Sequence, residues 1–317
     1  MKLMLRKTVI IILAVLFLAI AVPLINLYHA HRQIDSINPR LPTLAQIRNS
    51  ARLDVLPASI EVLNTASQMM PVSTVLSDTE AGVLFEMSFP IFVVTWANGH
   101  KFVIDAGLSA ETADAFGQPS ELLGAEPMQF QAGLGDLLDA KFLKGIGFTH
   151  LHSDHVDGVR DLCSSTTETA TDLLIVQSIE QYTTTNYTTA GGNVQLDELT
   201  CGQRFLVKDN LLLKSISGFP GLYMVHTGGH TPGSQVFVVH VRDMRGTHTY
   251  VIAGDLVNHS QAIEKNISKP GWYSRFVVPE NLRQLETARI WLEELAGQYK
   301  VKILVSHHKE SLSDLIQ

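Results

Sequence analysis

The chain has 317 residues, of which 45% are hydrophobic and 17% are charged, and its formal net charge is −7. This composition excludes a disordered chain, a collagen and a long coiled coil, and the length suffices for one large domain or two small ones. Without residues 1–30, which carry no acidic side chain, 21 basic and 31 acidic residues remain, a net charge of −10. An acidic body argues against nucleic acid as a partner, because phosphate backbones need a basic surface.

The N-terminus joins a basic tip to a long apolar run. Residues 9–22 are uninterrupted apolar side chains, and residues 8–27 as a helix would extend ~30 Å, the thickness of a hydrocarbon core. We predict a signal anchor or transmembrane helix over 1–27, with the membrane as its partner. The alternatives are a signal peptide cleaved after Ala19-Ile20-Ala21 and a buried core helix.

The charges that flank this segment predict its orientation. Lys2, Arg6 and Lys7 precede the apolar run, and Arg32 and Arg40 follow it. The positive-inside rule then predicts a membrane-anchored protein whose catalytic domain lies outside the cytoplasm, in a periplasmic or other extracytoplasmic space. If the signal is cleaved, the body is exported.

The rest of the chain divides into two parts. Residues 28–80, punctuated by four prolines, are interpreted as a stalk and approach segment. Residues 81–317 are predicted to form the main domain, with an insertion at about 163–202, where Ser and Thr cluster. Cys163 and Cys201, the only cysteines, fall in that segment; in an oxidising compartment they could pair, and otherwise they are two unrelated thiols.

Strand patterns begin after residue 83. Apolar runs at 91–96 and 101–104 flank Asn98-Gly99, which is a strong hairpin signal. We predict a helix over 128–142 and an amphipathic helix over 282–299. Further strands are predicted over 146–149, 204–216, 222–226, 235–241, 249–253 and 301–305. Mixed strands and helices, with polar residues at strand ends, indicate an α/β layered sandwich.

The strand over 146–149 leads into the main chemical signal, Thr149-His150-Leu151-His152-Ser153-Asp154-His155. Three imidazoles and one carboxylate lie within six residues, and these are ligands of borderline divalent metals, zinc above all. In an extended loop, His150 and His152 would lie on one side. After a turn, Asp154 and His155 would point to a second ion.

Three later segments also follow predicted strands. They are Gly228-Gly229-His230-Thr231-Pro232-Gly233, Gly254-Asp255 and Ser306-His307-His308. A single histidine or aspartate of this kind is more often structural. The order of the four pieces along the chain, each at a strand end, favours one shared metal site.

This pattern resembles the metallo-β-lactamase fold superfamily of metal-dependent hydrolases, over residues 83–310. The resemblance implies a four-layer αββα sandwich with two metal ions at one edge of its paired sheets. It implies two Zn²⁺ per chain, with iron or manganese as alternatives. It assigns His150, His152 and His230 to a first metal site, Asp154, His155 and His307 to a second, and Asp255 to the bridge between them.

The resemblance also assigns roles around the metals. Asp105, in a strand-end Asp-Ala-Gly, would be a supporting residue rather than a ligand. The strand register favours His307 over the neighbouring His308 as the last ligand. His226 is interpreted as a supporting or core residue. Candidate substrate contacts without a motif are Asp157, His259 and Tyr273.

The implied reaction is hydrolysis of a small-molecule ester, lactone, thioester or amide. A hydroxide that bridges the two ions would attack the substrate, with Asp154 and Asp255 as the catalytic carboxylates. The alternatives are a phosphodiesterase or nuclease, a β-lactamase, a di-iron redox protein, and a membrane-tethered metal-binding scaffold without turnover. The acidic body disfavours a nuclease, and di-iron relatives usually carry an acid where this chain has His152.

Overall fold

A computed structural model of the chain describes residues 2–80, 82–165 and 172–316, with the side chains of all of these except 2–5 and 163–165. The α-helices are α1 (Lys2–Asp35), α2 (Leu44–Ser50), α3 (Ala113–Glu121), α4 (Leu134–Leu137), α5 (Ser153–Val156), α6 (Val159–Ser165), α7 (Ile179–Thr183), α8 (Ala190–Asp197), α9 (Gln261–Glu264), α10 (Leu282–Ala296) and α11 (Lys309–Leu312). The strands are β1 (Ser59–Pro71), β2 (Leu84–Thr95), β3 (Lys101–Ile104), β4 (Gln129–Phe130), β5 (Leu143–Gly147), β6 (Leu174–Ser178), β7 (Gln203–Val207), β8 (Lys214–Ser215), β9 (Leu222–His226), β10 (Gln235–Asp243), β11 (Gly246–Ile252) and β12 (Val301–Leu304).

The strands form two sheets. The first has the order β4-β1-β2-β3-β5-β6-β7, antiparallel from β4 to β3 and parallel from β3 to β7. The second has the order β12-β11-β10-β9-β8, antiparallel except for the β11–β12 pair. Parallel strands release their carboxyl ends at a common edge, which favours a site built there.

Alternation along β2 separates the layers. Phe92 and Val94 pack in a cluster shared by both sheets, whereas Ile91 and Val93 pack with apolar residues of α6 and its neighbours on the outer face of the first sheet. On the outer face of the second sheet, α10 buries its apolar side, including Leu292. This order of helix, sheet, sheet and helix confirms the predicted four-layer αββα sandwich.

The segment predicted as a stalk over 28–80 contains a principal strand. Residues Ser59–Pro71 form β1, which pairs with β2 over its whole length. The alternation in β1 is masked because Thr65, Ser67 and Gln68 are polar and yet buried. Thr65 donates to the carbonyl of Phe89 and accepts from the amide of Leu108, which satisfies its hydroxyl inside the fold.

The segment 163–202, predicted as an insertion, also contributes to the sheet. Residues Leu174–Ser178 form β6 between β5 and β7, and Ala190–Asp197 form α8. The strand is therefore integral to the first sheet, and the boundaries of the domains stay a prediction. The pairing of Cys163 with Cys201 depends on a side chain outside the described residues.

The helix predicted over 128–142 is wrong. The segment holds the short strand Gln129–Phe130, the helix Leu134–Leu137 and a 3₁₀ turn at Ala140–Phe142. Gly133, which precedes the helix Leu134–Leu137, and Leu138, which follows it, both have an extended backbone conformation. The apolar spacing reflects Leu134 and Leu138 packing on the first sheet, not one long helix.

Helix α1 contains the predicted apolar segment. Residues Arg6–Asp35 are long and apolar enough to cross a membrane, and none of the apolar span is buried against the rest of the described chain. Only its last turns pack on the domain, where Ala30 and Ile34 are buried. A helix with this division between exposed and buried parts fits a membrane anchor or a signal segment better than a core helix.

A buried histidine on β10 makes the stability of the fold sensitive to acid. The ring of His240 lies between the hydroxyls of Ser50 and Thr249, at 2.8 and 2.9 Å. Burial lowers its pKa from 6.5 to about 4. Because the unfolded chain then binds more protons between these pH values, stability falls as the pH drops below 6.5 and levels off near 4.

We expect His240→Gln to remove this pH dependence. Between pH 7.5 and 5 the wild-type chain should lose about 2 kcal/mol of unfolding free energy that the variant does not lose. Urea unfolding of the full chain in detergent micelles at both pH values measures the difference. His100→Gln, at an exposed position, is the control and should keep the wild-type pH dependence; identical losses in all three proteins would contradict the assignment.

Candidate metal centre

The ends of five strands converge at one edge of the sandwich. Asp105 follows β3 and has a positive φ of 61°. Its Oδ1 accepts the amide of Thr149 at 2.7 Å, and this ties the end of β3 to the loop after β5. The amide of Gln235 at the start of β10 donates to the carbonyl of Thr149 at 2.9 Å, which ties the same loop to the second sheet.

Two glycines allow the backbones to meet at this edge. A Cβ on Gly158 would lie 2.1 Å from the carbonyl oxygen of Ala106, so a larger residue would push α6 away from β3. Gly254 has a φ of 52°, and a Cβ there would lie 2.7 Å from the Cβ of Thr149. These close contacts set the histidine loop beside Asp255.

Three imidazoles form the first group of candidate ligands. The Nδ1 of His152 lies 3.0 Å from the Nε2 of His150 and 3.2 Å from the Nε2 of His230. His150 and His152 belong to the loop between β5 and α5, whereas His230 follows β9. The fold thus brings together the three residues that the sequence assigned to a first metal site.

Two imidazoles and two carboxylates form the second group. The Nε2 of His307 lies 2.9 Å from the Oδ1 of Asp255 and 3.4 Å from the Oδ2 of Asp154. The Nε2 of His155 lies 3.1 Å from the same Asp255 oxygen and 3.3 Å from the Nε2 of His307. The four side chains are buried and come from three separate strand ends.

Asp255 faces both groups. Its Oδ1 belongs to the second group, and its Oδ2 lies 3.7 Å from the Nε2 of His230 in the first. Asn258 donates to that Oδ2 at 3.3 Å. A carboxylate with one oxygen toward each group has the arrangement that the sequence resemblance assigned to a bridge. The role of all seven residues as ligands stays a prediction.

Two carboxylates and a carbonyl fix the tautomers of three of the histidines. The Nδ1 of His230 lies 2.6 Å from the carboxylate of Glu280, and the Nδ1 of His155 lies 2.8 Å from that of Asp105. The Nδ1 of His307 lies 2.7 Å from the carbonyl of Ser88. Because these oxygens only accept, each Nδ1 carries a proton, so Nε2 is the nitrogen of each ring that can offer a lone pair to a cation.

Hydroxyl groups fix the other two rings. Thr149 donates its hydroxyl proton to Asp105, so its oxygen accepts from the Nδ1 of His150 at 3.2 Å. Thr188 donates to Asn186, so its oxygen accepts from the Nε2 of His152 at 3.0 Å. The unprotonated nitrogens of these two rings also face the centre.

These donors fit divalent cations. Five imidazole nitrogens and two carboxylates converge, and imidazole nitrogens that face each other at 3.0–3.3 Å repel unless a cation lies between them. Nitrogen and oxygen ligands at 2.0–2.1 Å around a tetrahedral ion are ~3.4 Å apart. The close contacts within the two groups, from 2.9 to 3.6 Å, match that spacing.

The electrostatics of the two groups differ. Burial, together with the neighbouring imidazoles, holds the pKa of His150 and His152 well below the usual range, so these rings are neutral. Burial also opposes charge on His155, but the carboxylates of Asp105, Asp154 and Asp255 outweigh it and raise its pKa. The second group therefore has a strongly negative field, which favours a cation.

The two carboxylates of that group are shifted in opposite directions. Burial raises the pKa of Asp154 above its usual value. Burial acts on Asp255 in the same sense, but the charges of His307 and His155 and their hydrogen bonds hold the pKa of Asp255 well below the usual range. Asp255 is thus the more firmly ionised of the two.

A buried ion pair behind His230 was not found from the sequence. Lys269 Nζ lies 2.8 Å from the Oε1 of Glu280 and 2.7 Å from the backbone carbonyl of Asp255. Ser274 donates to the other oxygen of Glu280. The pair thus joins His230 to the backbone of Asp255. No local motif marks Glu280, because the imidazole that it holds is 50 residues away in the chain.

The remaining predicted residues lie around the centre. His308 stacks on His259, with ring centroids 3.9 Å apart, so His307 rather than His308 joins the cluster. His226 contacts the carbonyl of Pro232 at 2.9 Å and lies outside both groups. Asp157 lies outside both groups as well.

A cavity of about 700 Å³ opens over the two groups. His152, Asp154 and Asp255 form part of its lining, and so does Tyr273, a predicted substrate contact. Asp157 and His259 are not among the described residues that line it. Most of the wall is apolar, with contributions that include Met70, Met87, Phe89, Phe116 and Val278.

Known proteins resemble this chain in structure rather than in sequence. No family model and no curated protein sequence matches the chain. An N-acyl homoserine lactone hydrolase with N-hexanoyl-L-homoserine at its catalytic metal centre is similar with a TM-score of 0.59 and 14% identity, over 82% of this chain and 96% of that one.

Two further solved structures are similar. A variant of AiiA from B. thuringiensis with N-decanoyl-L-homoserine at its active site gives the same TM-score, 0.59, at 14% identity, over 82% of this chain and 96% of that chain. A probable metal-dependent hydrolase from Staphylococcus aureus gives 0.53 at 15% identity, over 81% and 91%. At such identities the likeness shows the fold alone, and this fold agrees with the one that the sequence resemblance implied.

Proposed function

We propose that the chain is a dinuclear metal-dependent hydrolase that cleaves a small ester, lactone, thioester or amide. The observation that carries this proposal is the convergence of five imidazole nitrogens and two carboxylates at the floor of one cavity. Such a donor set binds borderline divalent metals, and we propose two Zn²⁺, with iron or manganese as alternatives.

The ligand roles follow the two groups. We assign His150, His152 and His230 to one ion, Asp154, His155 and His307 to the other, and Asp255 to both. Two bound ions would supply an activated water nucleophile at neutral pH and polarise the electrophilic oxygen of the substrate. The oxygens that accept a hydrogen bond from the ring nitrogen pointing away from the metal site keep each imidazole in one orientation and one tautomer.

Two carboxylates have further roles. Asp154 and Asp255 line the cavity, so their oxygens face a bound substrate. The Oδ2 of Asp154 lies 3.4 and 3.6 Å from the Nε2 atoms of His307 and His155, farther than the Oδ1 of Asp255 does from the same two atoms. We assign to this oxygen the transfer of a proton to the leaving group, and to Asp255 the holding together of the two groups.

The cavity favours an uncharged, partly apolar substrate. Its volume of about 700 Å³ suits a small molecule, and its wall is mostly apolar. Among the described residues that line it, Lys269 is the only Lys or Arg, and its ammonium is already paired with Glu280. Beyond the metal ions, a phosphodiester would find no unpaired Lys or Arg side chain among these residues, so an acyl compound fits better; β-lactams remain within that class as amides.

We also propose that helix α1 anchors the chain in a membrane, with the catalytic domain outside the cytoplasm. The length of the helix, its exposed apolar span and the basic residues at its start support the anchor. If the signal is cleaved instead, a mature chain that begins after Ala21 would be found. N-terminal sequencing of the chain from both the membrane and the soluble extracytoplasmic fractions distinguishes the two.

A substrate panel on metal-analysed protein tests the function. The full chain in detergent should contain two ions, hydrolyse at least one ester, lactone, thioester or amide, lose activity with a chelator and regain it with Zn²⁺. Selective hydrolysis of phosphodiesters would favour the phosphodiesterase alternative. Two bound ions without turnover of any compound would favour a metal-binding scaffold.

His152→Ala should bind less than the wild-type amount of metal and lose at least about a hundredfold in activity, because a ligand loss should exceed the 10–100-fold effect of outer partners. His226→Gln is the matched control, since His226 lies nearby but outside both groups. Wild-type metal content in His152→Ala would contradict the ligand assignment.

A further inference from the structure

The mouth of the cavity carries exposed apolar side chains. Leu122 is 89% exposed and Leu123 is 49% exposed, and both line the cavity. On another segment of the mouth, Trp272 and Val277 also line it and are 43% and 47% exposed, and Phe276 between them is 63% exposed. We call these five residues the apolar rim. Contiguous exposed apolar surface of this kind usually marks an interaction site.

The last turns of helix α1 reach the same mouth. The ring of His31 donates from Nε2 to the carbonyl of Arg275, inside the rim segment 272–277, at 3.0 Å. The side chain of Gln33 donates to the carbonyl of Thr185 at 3.0 Å, three residues before Thr188, which lines the cavity. The segments around Arg275 and Thr185, which lie at the mouth, are therefore hydrogen-bonded to helix α1.

The helix geometry sets how far the mouth lies from a membrane. The apolar run ends at Leu27, and the first of these contacts is made by His31, four residues later. At 1.5 Å per residue this separation is ~6 Å, about the depth of the polar headgroup layer. Tyr28, which is exposed, and Trp272 suit that depth, because aromatic side chains concentrate at membrane interfaces.

We propose that helix α1 holds the cavity mouth against the bilayer, that the apolar rim enters the lipid interface, and that the substrate is an acyl compound with a long aliphatic chain, which reaches the metal centre from the membrane. The bilayer is the proposed occupant because the helix that would span it is hydrogen-bonded to the carbonyl of Arg275, the chain neighbour of Phe276 in the rim. The substrate part rests on the proposed function; the docking part rests on the anchor alone.

Tryptophan fluorescence tests the docking part without any need for activity. The chain has three tryptophans, and Trp96 and Trp291 are buried, at 6% and 7% exposure, so Trp272 alone lies on the rim. The full chain is reconstituted in phosphatidylcholine vesicles with or without bromine on the acyl chains. We expect brominated lipid to quench the wild-type emission, and Trp272→Phe to lose most of that quenching.

Equal quenching in the wild type and in Trp272→Phe would overturn the proposal, because Trp272 would then lie away from the lipid. Wild-type emission that brominated lipid does not quench, but that shifts with the protein-to-lipid ratio, would indicate a second copy on the rim and would also overturn it.

A matched pair of variants tests the substrate part. Phe276 does not line the cavity, and Phe276→Ser should lower the rate on a dodecanoyl ester held in the same vesicles roughly tenfold, through lost apolar contact. Its rate on a dissolved acetyl ester should not change. Met244→Ser is the control, because fully exposed Met244 follows the far end of β10, ~27 Å along the strand from Gln235.

Equal losses on both esters in Phe276→Ser, or no loss on either, would overturn the substrate part. Quenching of Trp272 without hydrolysis of any ester, lactone, thioester or amide would refute the proposed function and the substrate part together, while supporting the docking of the rim. The two failures are thus distinguishable.

Discussion

Asp255→Asn is expected to abolish hydrolysis and to lower the metal content of the chain below one ion. Asp255 is the residue whose two oxygens face different groups, Oδ1 toward His155 and His307 and Oδ2 toward His230. An asparagine side chain has the same shape as aspartate, but it offers a single, weakly ligating oxygen. Its NH₂ group would point N–H protons at the imidazoles in place of the second oxygen. Both groups should lose affinity, and the activity should fall by more than the 10–100-fold that a lost outer partner costs.

Metal analysis after dialysis, together with titration of the apoprotein with Zn²⁺, measures this effect. Asp157→Asn is the matched control, because Asp157 lies three residues from Asp154 in the same loop region but outside both groups. The control should bind two ions and stay active. If Asp255→Asn bound two ions with wild-type affinity, Asp255 would not be the bridge.

The sequence predicted the fold where apolar alternation was uninterrupted. The strands Lys101–Ile104 and Leu222–His226 match their predicted ranges. Their side chains are buried in the core except at the strand ends, so no buried polar residue interrupts the apolar pattern. The strand Ser59–Pro71 was missed, since Thr65 and Gln68 are polar residues with internal hydrogen bonds. A buried, hydrogen-bonded polar side chain of this kind interrupts the alternation of apolar and polar residues in the sequence but does not interrupt the strand itself.

The candidate ligands were predictable for a different reason. His150, His152, Asp154 and His155 lie close in the chain, so their density is itself a signal. His230, Asp255 and His307 each follow a strand, and strand ends of the same sheet edge meet in space. The residues that accept hydrogen bonds from the imidazole ligands were not predictable. A carboxylate or a carbonyl that accepts such a bond can lie at any separation from the histidine in the sequence.

Glu280 is the clearest such residue. Its carboxylate accepts from the Nδ1 of His230 and from Lys269, and it is fully buried. Burial opposes its ionisation, but the charge of Lys269 and the hydrogen bond from His230 hold the pKa of Glu280 below the usual value. The anion fixes the tautomer of His230 and makes its Nε2 a better metal ligand.

Glu280→Gln is therefore expected to weaken zinc binding 10–100-fold and to lower the activity in proportion. It should also destabilise the fold by about 3–5 kcal/mol, because the ammonium of Lys269 stays buried without its carboxylate. The double variant Lys269→Met with Glu280→Gln separates the two effects, since it removes the unpaired charge. It should regain most of the stability, measured by urea unfolding of the apoprotein, and keep the weakened zinc affinity. Recovery of wild-type affinity in the double variant would mean that Glu280 serves the fold alone, whereas a persistent loss identifies it as the residue that positions His230.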